Sequence, residues 1–406
     1  MPALDGLRIL DMTQYEAGTA CTQALAWMGA DVVKIERPGT GDPARGFRTP
    51  DRDAVDSEYF INWNSNKRSV TVNLQEPAGR QLLLDMVPHY DVFIENYGPG
   101  VIEKLDLGYD LMKSINPRII YARIKGFGND GPYAGYKCYD MVAQAAAGAF
   151  SITGEPDGPP MRPGPTTGDC GTGVQMALAI TAAYVQQQRT GDGQLIELSM
   201  QEAMTYYLRT AISSTKWGEY PAERTGNGKN PATNLYPCTP NGPNDYVFVM
   251  AVTPPMWISL CNAIGRADLL DDERFKHAKD RSNNAEELFE EIAQWTQQRT
   301  KHQAMSELAE AGVPASAVMD TKDLYDDPHL AAREFITTLD HPQHGEIRLL
   351  RWPARMSGSE VSIVAAPMLG QHSREVVAED LGLSNTDVDA LVEQGVIGNE
   401  SQLSAQ

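Results

Sequence analysis

The 406-residue chain is 42% apolar and 22% charged, the balance of a globular protein with a sizeable core rather than of a disordered one. Its formal net charge of −20 would repel a polyphosphate backbone, so no nucleic-acid partner is expected, and an anionic ligand would need a locally basic pocket. The longest apolar runs, such as "ALAITAAYV", reach about half the ~20 residues of a membrane span, and no secretory pattern is visible, so no membrane partner is expected.

The first 130 residues alternate β-branched runs with helical patterns. "LRILDM" reads as a strand, "ACTQALAWMG" as a helix and "ADVVKIE" as a second strand. "RSVTVNL" follows as a strand, then "EPAGRQLLLDMV" as a helix with Pro77 at its start. "DVFIEN" and "RIIYARIKGF" are two further strands with a helical segment between them. This alternation predicts an α/β fold with an open, mostly parallel, Rossmann-like sheet. Ligands in such sheets bind beyond the carboxyl ends of the strands, here Thr13 to Glu16, Arg37 to Arg48, Asn96 to Gly100 and Phe127 to Gly131. The first of these loops has one glycine and no G-x-G-x-x-G, which argues against a nicotinamide or flavin dinucleotide.

Further along, "LIELSM" reads as a strand and "QEAMTYYLRTAISST" as a helix. Arg224 to Tyr246 is dense in Gly, Pro and Asn and reads as a long loop. A smaller α/β region follows, with "YVFVMAV", helices around Trp257 and from Glu286 to Glu310, and "VPASAVM". The expected organisation is a large domain over residues 1–220, a small inserted domain over 221–326, and a return to the large domain over 327–406. The cysteines, Cys21, Cys138, Cys170, Cys238 and Cys261, are odd in number and lack zinc-site or redox spacing. No metal site is expected, and the thiols read as reduced in a cytoplasm.

The segment "PTTGDCGTGVQMALAITAAYVQQQRTGDGQ" sets Asp169 among glycines at the mouth of a long helix. One reading makes Asp169 an N-cap that accepts from the first-turn amides. The other makes it a reactive carboxylate. Gly171 and Gly173 cost a helix up to ~1 kcal/mol each, which makes sense if something must approach the backbone closely. The helix N-terminus would favour a negative charge there. Val174, Ala177, Leu178 and Val185 read as the helix's apolar face. Cys170 is a rival nucleophile, but no histidine lies near it in sequence to generate a thiolate. Lys34, Arg37, Arg45, Arg48, Lys67 and Arg68, interleaved with Glu36, Asp42 and Asp51, form either a solvated surface or an anion site. Arg37, beside "PGTGD", is placed for a phosphate. "IENYGPG" is either a plain turn or a set of ligand-gripping amides.

"LDGLRILDMT", "GADVVKIERPGTGD", "NSNKRSVTVNL", "IENYGPGV", "YDMVAQAAAGAFSITGEPDGPP", "GDCGTGVQMALAI", "RTGDGQLIELSMQEA" and "APMLGQHSREVV" occur in one order along nearly the whole chain. In this the sequence resembles the class III CoA-transferases, the group of formyl-CoA:oxalate and carnitine CoA-transferases. The resemblance implies a homodimer of interlocked, ring-like subunits, each with a Rossmann-like large domain and a small inserted one. It implies that Asp169 is the nucleophile, forming a mixed anhydride with an acyl group and then an aspartyl-CoA thioester. Coenzyme A would enter only as part of the substrates, with no permanently bound cofactor. Its contacts would include Glu16, Ala17, Arg37, Val72, Asn73, Leu74, Gln75, Asn96, Tyr97, Gly98, Lys104, Lys137, Cys138, Tyr139 and Asp140.

Several positions depart from formyl-CoA transferase. Lys104 replaces an Arg, Glu16 a Gln and Phe47 a Trp, and the tetraglycine loop has no counterpart. These differences point away from oxalate; the acid pair itself stays open, with a larger dicarboxylate or a hydroxy acid as an expected acceptor and succinyl-CoA or acetyl-CoA as an expected donor. Intramolecular transfer within one dicarboxylate would use the same Asp169. The rival on the same fold is α-methylacyl-CoA racemisation, which needs a His and an Asp to shuttle a proton. No His occurs in Gly135 to Asp140, and His89 reads as a loop residue.

Overall fold

The computed structural model describes residues 1–47, 56–228 and 230–398; Arg48 and Asp51 of the basic cluster lie outside them. Six strands form one parallel sheet: β1 (Arg8–Met12), β2 (Asp31–Glu36), β3 (Lys67–Thr71), β4 (Val92–Glu95), β5 (Ile120–Lys125) and β6 (Leu195–Ser199). Their order, β3-β2-β1-β4-β5-β6, is doubly wound and reverses direction between β1 and β4. Alternation along each strand feeds a core on either face. Ile9, Val32, Val92 and Ile94 point to one, and Leu10, Val33, Phe93 and Tyr121 to the other.

The first core is covered by α1 (Ala17–Ala26) and by a long helix that starts as a π turn at Thr167–Gly171 and continues as α7. Before it in the chain come α2 (Glu58–Asn64), α3 (Pro77–Met86), α4 (Val101–Lys104), α5 (Tyr109–Ile115) and α6 (Asp140–Ala146); α7 itself is Thr172–Thr190. α1 begins three residues before the predicted "ACTQALAWMG", because every one of its residues is buried and period alone cannot mark its start. The sequence reading omits α2 and α6, both of seven residues. On α7 the buried apolar side chains are Met176, Ala177, Ile180 and Ala183. Val174, Leu178 and Val185, expected on the core side, are exposed, Leu178 by 72%.

The chain divides into two compact units, residues 1–149, 162–220 and 334–406 against 150–161 and 221–333. Residues 150–161 and 327–333 thus leave the large domain to which the sequence reading gave them. Within the second unit the Arg224 guanidinium donates to the carbonyls of Ser151, Glu155 and Gly158, which ties the 150–161 segment to residues that follow 220. Its sheet is antiparallel, of β7 (Thr233–Pro237), β8 (Tyr246–Met250) and β9 (Ala315–Ala317). β7 corrects the long loop expected over Arg224 to Tyr246: "TNLYP" is a short edge strand whose flanking Asn, Gly and Pro residues hide it. A hairpin of β10 (Ile336–His341) and β11 (Gly345–Leu350) belongs to the first unit.

Candidate active site

A cavity of ≈ 220 Å³ opens where the sheet order reverses, beyond the carboxyl ends of β1, β4 and β5. Of the residues expected at the site, it brings together Glu16, Ala17, Asn96, Tyr97, Gly98, Lys137, Cys138, Tyr139 and Asp169. Asp140 stands behind the cavity: its carboxylate accepts from the backbone N–H of Asp169 at 3.1 Å and from Gln144. Arg37, Val72, Asn73, Leu74, Gln75 and Lys104 do not line it. Arg37, Gln75 and Lys104 are exposed, Leu74 packs on the second core, Val72 is buried, and the Asn73 N–H donates to Val396 O at 2.9 Å.

Asp169 sits half-buried within the π turn, and its side chain makes no cap hydrogen bond. The N-cap reading is therefore wrong. The helix instead begins two residues earlier, so the carboxylate is spared for the cavity. The glycines around it have a cause other than ligand approach. A Cβ on Gly168 would meet the Asp140 backbone oxygen at 2.6 Å, and one on Gly173 would meet Ala17 O at 2.5 Å. They let the start of the long helix lie directly on α6 and α1, which fixes Asp169 beside Glu16 and Ala17 at the head of α1. Gly173→Ala is expected to lower stability by about 1–3 kcal/mol through overpacking against α1, read as the midpoint of chemical unfolding.

The loop that carries Glu16 is held from below by buried charge. Asp11 accepts from the Thr13 N–H at 2.8 Å and pairs with Lys67 at 3.1 Å. Lys34 donates to Thr13 O at 2.7 Å and pairs with Asp42 at 2.9 Å, while Asp42 also accepts from the Tyr15 N–H. Tyr15 is thereby kept in the left-handed backbone region, φ 59°, which a bulky residue rarely adopts. Arg45 is likewise buried, against Glu36 and Asp56, and Arg68 pairs with Asp31. Lys34, Arg45, Lys67 and Arg68 are thus internal ion-pair partners rather than a solvated surface; among the described members of the cluster only Arg37 stands exposed. The Asn96 amide closes the opposite side, accepting from the Gln14 N–H at 2.8 Å and donating to Gln14 O at 2.9 Å.

Electrostatically the cavity floor is acidic. Both Glu16 oxygens take hydroxyl donors, one from Thr166 and one from Tyr59 at 3.0 Å. Burial raises the Glu16 carboxyl, and Asp140 adds to that rise. Burial, Glu16 and Asp140 together push the Asp169 carboxyl up to about 8. The carboxylate is reachable, but it is not the freely ionised group expected from a helix N-terminus alone. The thiols of Cys138 and Cys170 are pushed up to about 11, chiefly by burial, so Cys170 is a poor rival nucleophile. Lys125, at the cavity wall, is already engaged by Glu95 at 2.9 Å and the Tyr97 carbonyl at 2.7 Å. Among the described residues no cluster of His, Cys, Asp and Glu is suited to a metal ion, and no helix is long and apolar enough to cross a membrane.

Tyr59, Thr166 and Lys125 escaped the sequence reading. "SEYFINWN" held the signal for Tyr59, since Ser57 caps α2 and Phe60 and Ile61 form its buried side. Thr166 and Lys125 carry no local signal, because the fold alone brings them to Glu16 and Glu95.

Comparison with known proteins places the chain in a wider group. The profile of CoA-transferase family III matches residues 4–373. A formyl-CoA:oxalate CoA-transferase of Streptomyces avermitilis is 39% identical over 411 residues, covering 97% of this chain and 99% of that protein. One from Rhodopseudomonas palustris is 35% identical over 425 residues, covering 100% and 99%. The crystal structure of a CAIB/BAIF family protein from Brucella suis superposes with a TM-score of 0.83 at 30% identity, covering 93% of this chain and 99% of that one.

Proposed function

The chain belongs to CoA-transferase family III, and on that premise we propose that it moves coenzyme A between two carboxylic acids through covalent intermediates on Asp169. The observation that carries this reading is the placement of Asp169: a carboxylate spared from capping, facing a cavity at the carboxyl ends of the strands. Its oxygen attacks the carbonyl of an acyl-CoA, the C–S bond breaks, and CoA thiolate departs, leaving a mixed anhydride. The thiolate then attacks the Asp169 carbonyl and expels the donor acid, giving an aspartyl-CoA thioester. The acceptor carboxylate attacks that thioester to form its own anhydride with Asp169 and to free the thiolate. A last thiolate attack on the acceptor's carbonyl yields the new acyl-CoA and restores Asp169.

Coenzyme A enters only as part of the substrates. Its thioester end reaches Asp169 past Ala17, Gly98 and Cys138, and its phosphates meet exposed cations such as Lys137 at the cavity, with Arg37 and Lys104 further out. Two copies of the chain associate, with the exposed Val174, Leu178 and Val185 of α7 as part of the covered face. The cavity lining holds no histidine, which disfavours the racemase and its two-group proton shuttle.

The test is CoA exchange between acyl-CoAs and a panel of carboxylic acids, with formyl-CoA and oxalate, the pair named for the relatives, as reference. Ping-pong kinetics support the reading; deuterium exchange at an acyl α-carbon without CoA transfer overturns it. The pH profile adds a sign. Only ionised Asp169 attacks, so acylation by a saturating donor should rise about tenfold per pH unit below 8 and level off above it. A single-turnover rate that is flat between pH 6 and 8 would contradict this.

A further inference from the structure

We propose that Glu16 selects the acceptor acid, rejecting one with a second carboxylate and admitting a monocarboxylate that carries a hydroxyl. This rests on the transferase reading of Asp169 but concerns a different residue and a different step. Glu16 is only 2% exposed, yet it lines the cavity with Asp169. Its carboxylate is fixed by donors from two separate segments, Thr166 before the long helix and Tyr59 in α2. Among the described residues no cation forms an ion pair with it: of the two lysines in the cavity lining, Lys125 is occupied by Glu95 and Tyr97 O, and Lys137 is exposed to solvent.

Glu16 is thus held as an acceptor with uncompensated charge in a place shielded from water. An acid attacking at Asp169 must put one carboxylate next to that residue, and the rest of so small a molecule falls beside Glu16. A second carboxylate there would be desolvated against a like charge, which is costly where water is excluded. A hydroxyl in the same place would donate to a Glu16 oxygen, since each oxygen accepts one bond and keeps a free lone pair. An unsubstituted carbon chain would gain nothing and lose nothing.

Glycolate and oxalate are near in size and differ in this one respect. First, the acyl-enzyme at Asp169 is quantified with a short acyl-CoA donor, so that failure of the transferase reading is seen by itself. The acceptor efficiencies of the two acids, kcat/KM, are then compared in the parent enzyme and in Glu16→Gln. The parent should favour glycolate by at least about tenfold, and Glu16→Gln should narrow or invert that ratio mainly by lowering the KM for oxalate. Thr166→Val, which removes one donor but keeps the charge, should leave glycolate ahead and guards against a general loss of structure in the first variant. If neither acid accepts CoA, the same ratio is read from their inhibition of acyl-enzyme turnover. Oxalate equal to or better than glycolate in the parent, an unchanged ratio in Glu16→Gln, or no effect of either acid overturns the proposal.

Discussion

Replacing Asp169 by alanine should reduce CoA exchange by at least about 10³-fold, because without its oxygen neither the anhydride nor the aspartyl thioester can form. Asp169→Asn should be equally inactive although it keeps the shape. The two variants should fold at least as well as the parent, for a physical reason. The Asp169 carboxyl holds its proton up to about pH 8 in the folded chain, whereas an unfolded one releases it in the ordinary carboxylate range. Between those limits the folded state binds more protons, so stability contributed by this group falls as pH rises. Asp169→Asn removes that loss and should melt higher than the parent at pH 8, the trade of stability for reactivity common at working sites. Thermal melts at pH 6 and pH 8 check it: the gap between variant and parent should widen at the higher pH.

Asp11→Ala should be the most damaging substitution away from the cavity, destabilising the chain by about 3–5 kcal/mol. Asp11 is fully buried and serves Thr13, Thr22 and Lys67 at once. Its loss leaves the Lys67 ammonium buried without its carboxylate, and the Thr13 amide without its acceptor. Burial opposes the charge on Asp11, but Lys67, Lys34 and the hydroxyls of Thr13 and Thr22 outweigh it and hold the carboxyl below its ordinary range. A group depressed in this way contributes stability above its unfolded value and loses it as pH falls through the folded one. The denaturant midpoint of Asp11→Ala should therefore approach that of the parent in strong acid and diverge from it near neutrality. Because Asp11 anchors Thr13, two residues before the left-handed Tyr15 whose N–H Asp42 accepts, any folded Asp11→Ala should also transfer CoA poorly.

The parallel sheet was legible because its strands are buried on both faces and announce themselves as β-branched runs such as "DVVKIE" and "DVFIEN". Asp169 was legible as special because glycines in a first helical turn contradict local propensity. Their reason was not. Gly168 and Gly173 answer to Asp140 O and Ala17 O, atoms distant in sequence that only the folded chain brings near. The basic cluster misled for the same reason. Lys34 and Lys67 look like surface charge until Asp42 and Asp11 arrive from other segments to bury them. Likewise, Val174, Leu178 and Val185 share a helical stripe that period assigns to the core, whereas the first unit leaves it open. β7 went unseen because five residues between Asn- and Pro-rich flanks carry too little pattern.

The most direct measurement is peptide mass mapping after a brief incubation with acyl-CoAs, with hydroxylamine used to trap the activated carboxyl. The expected result is a hydroxamate on the Asp169 peptide that requires an acyl-CoA donor, is stronger at pH 8 than at pH 6, and is missing in Asp169→Ala. A trapped group on any other carboxyl, or CoA exchange that continues with Asp169 unmodified, would contradict the central role given to this residue.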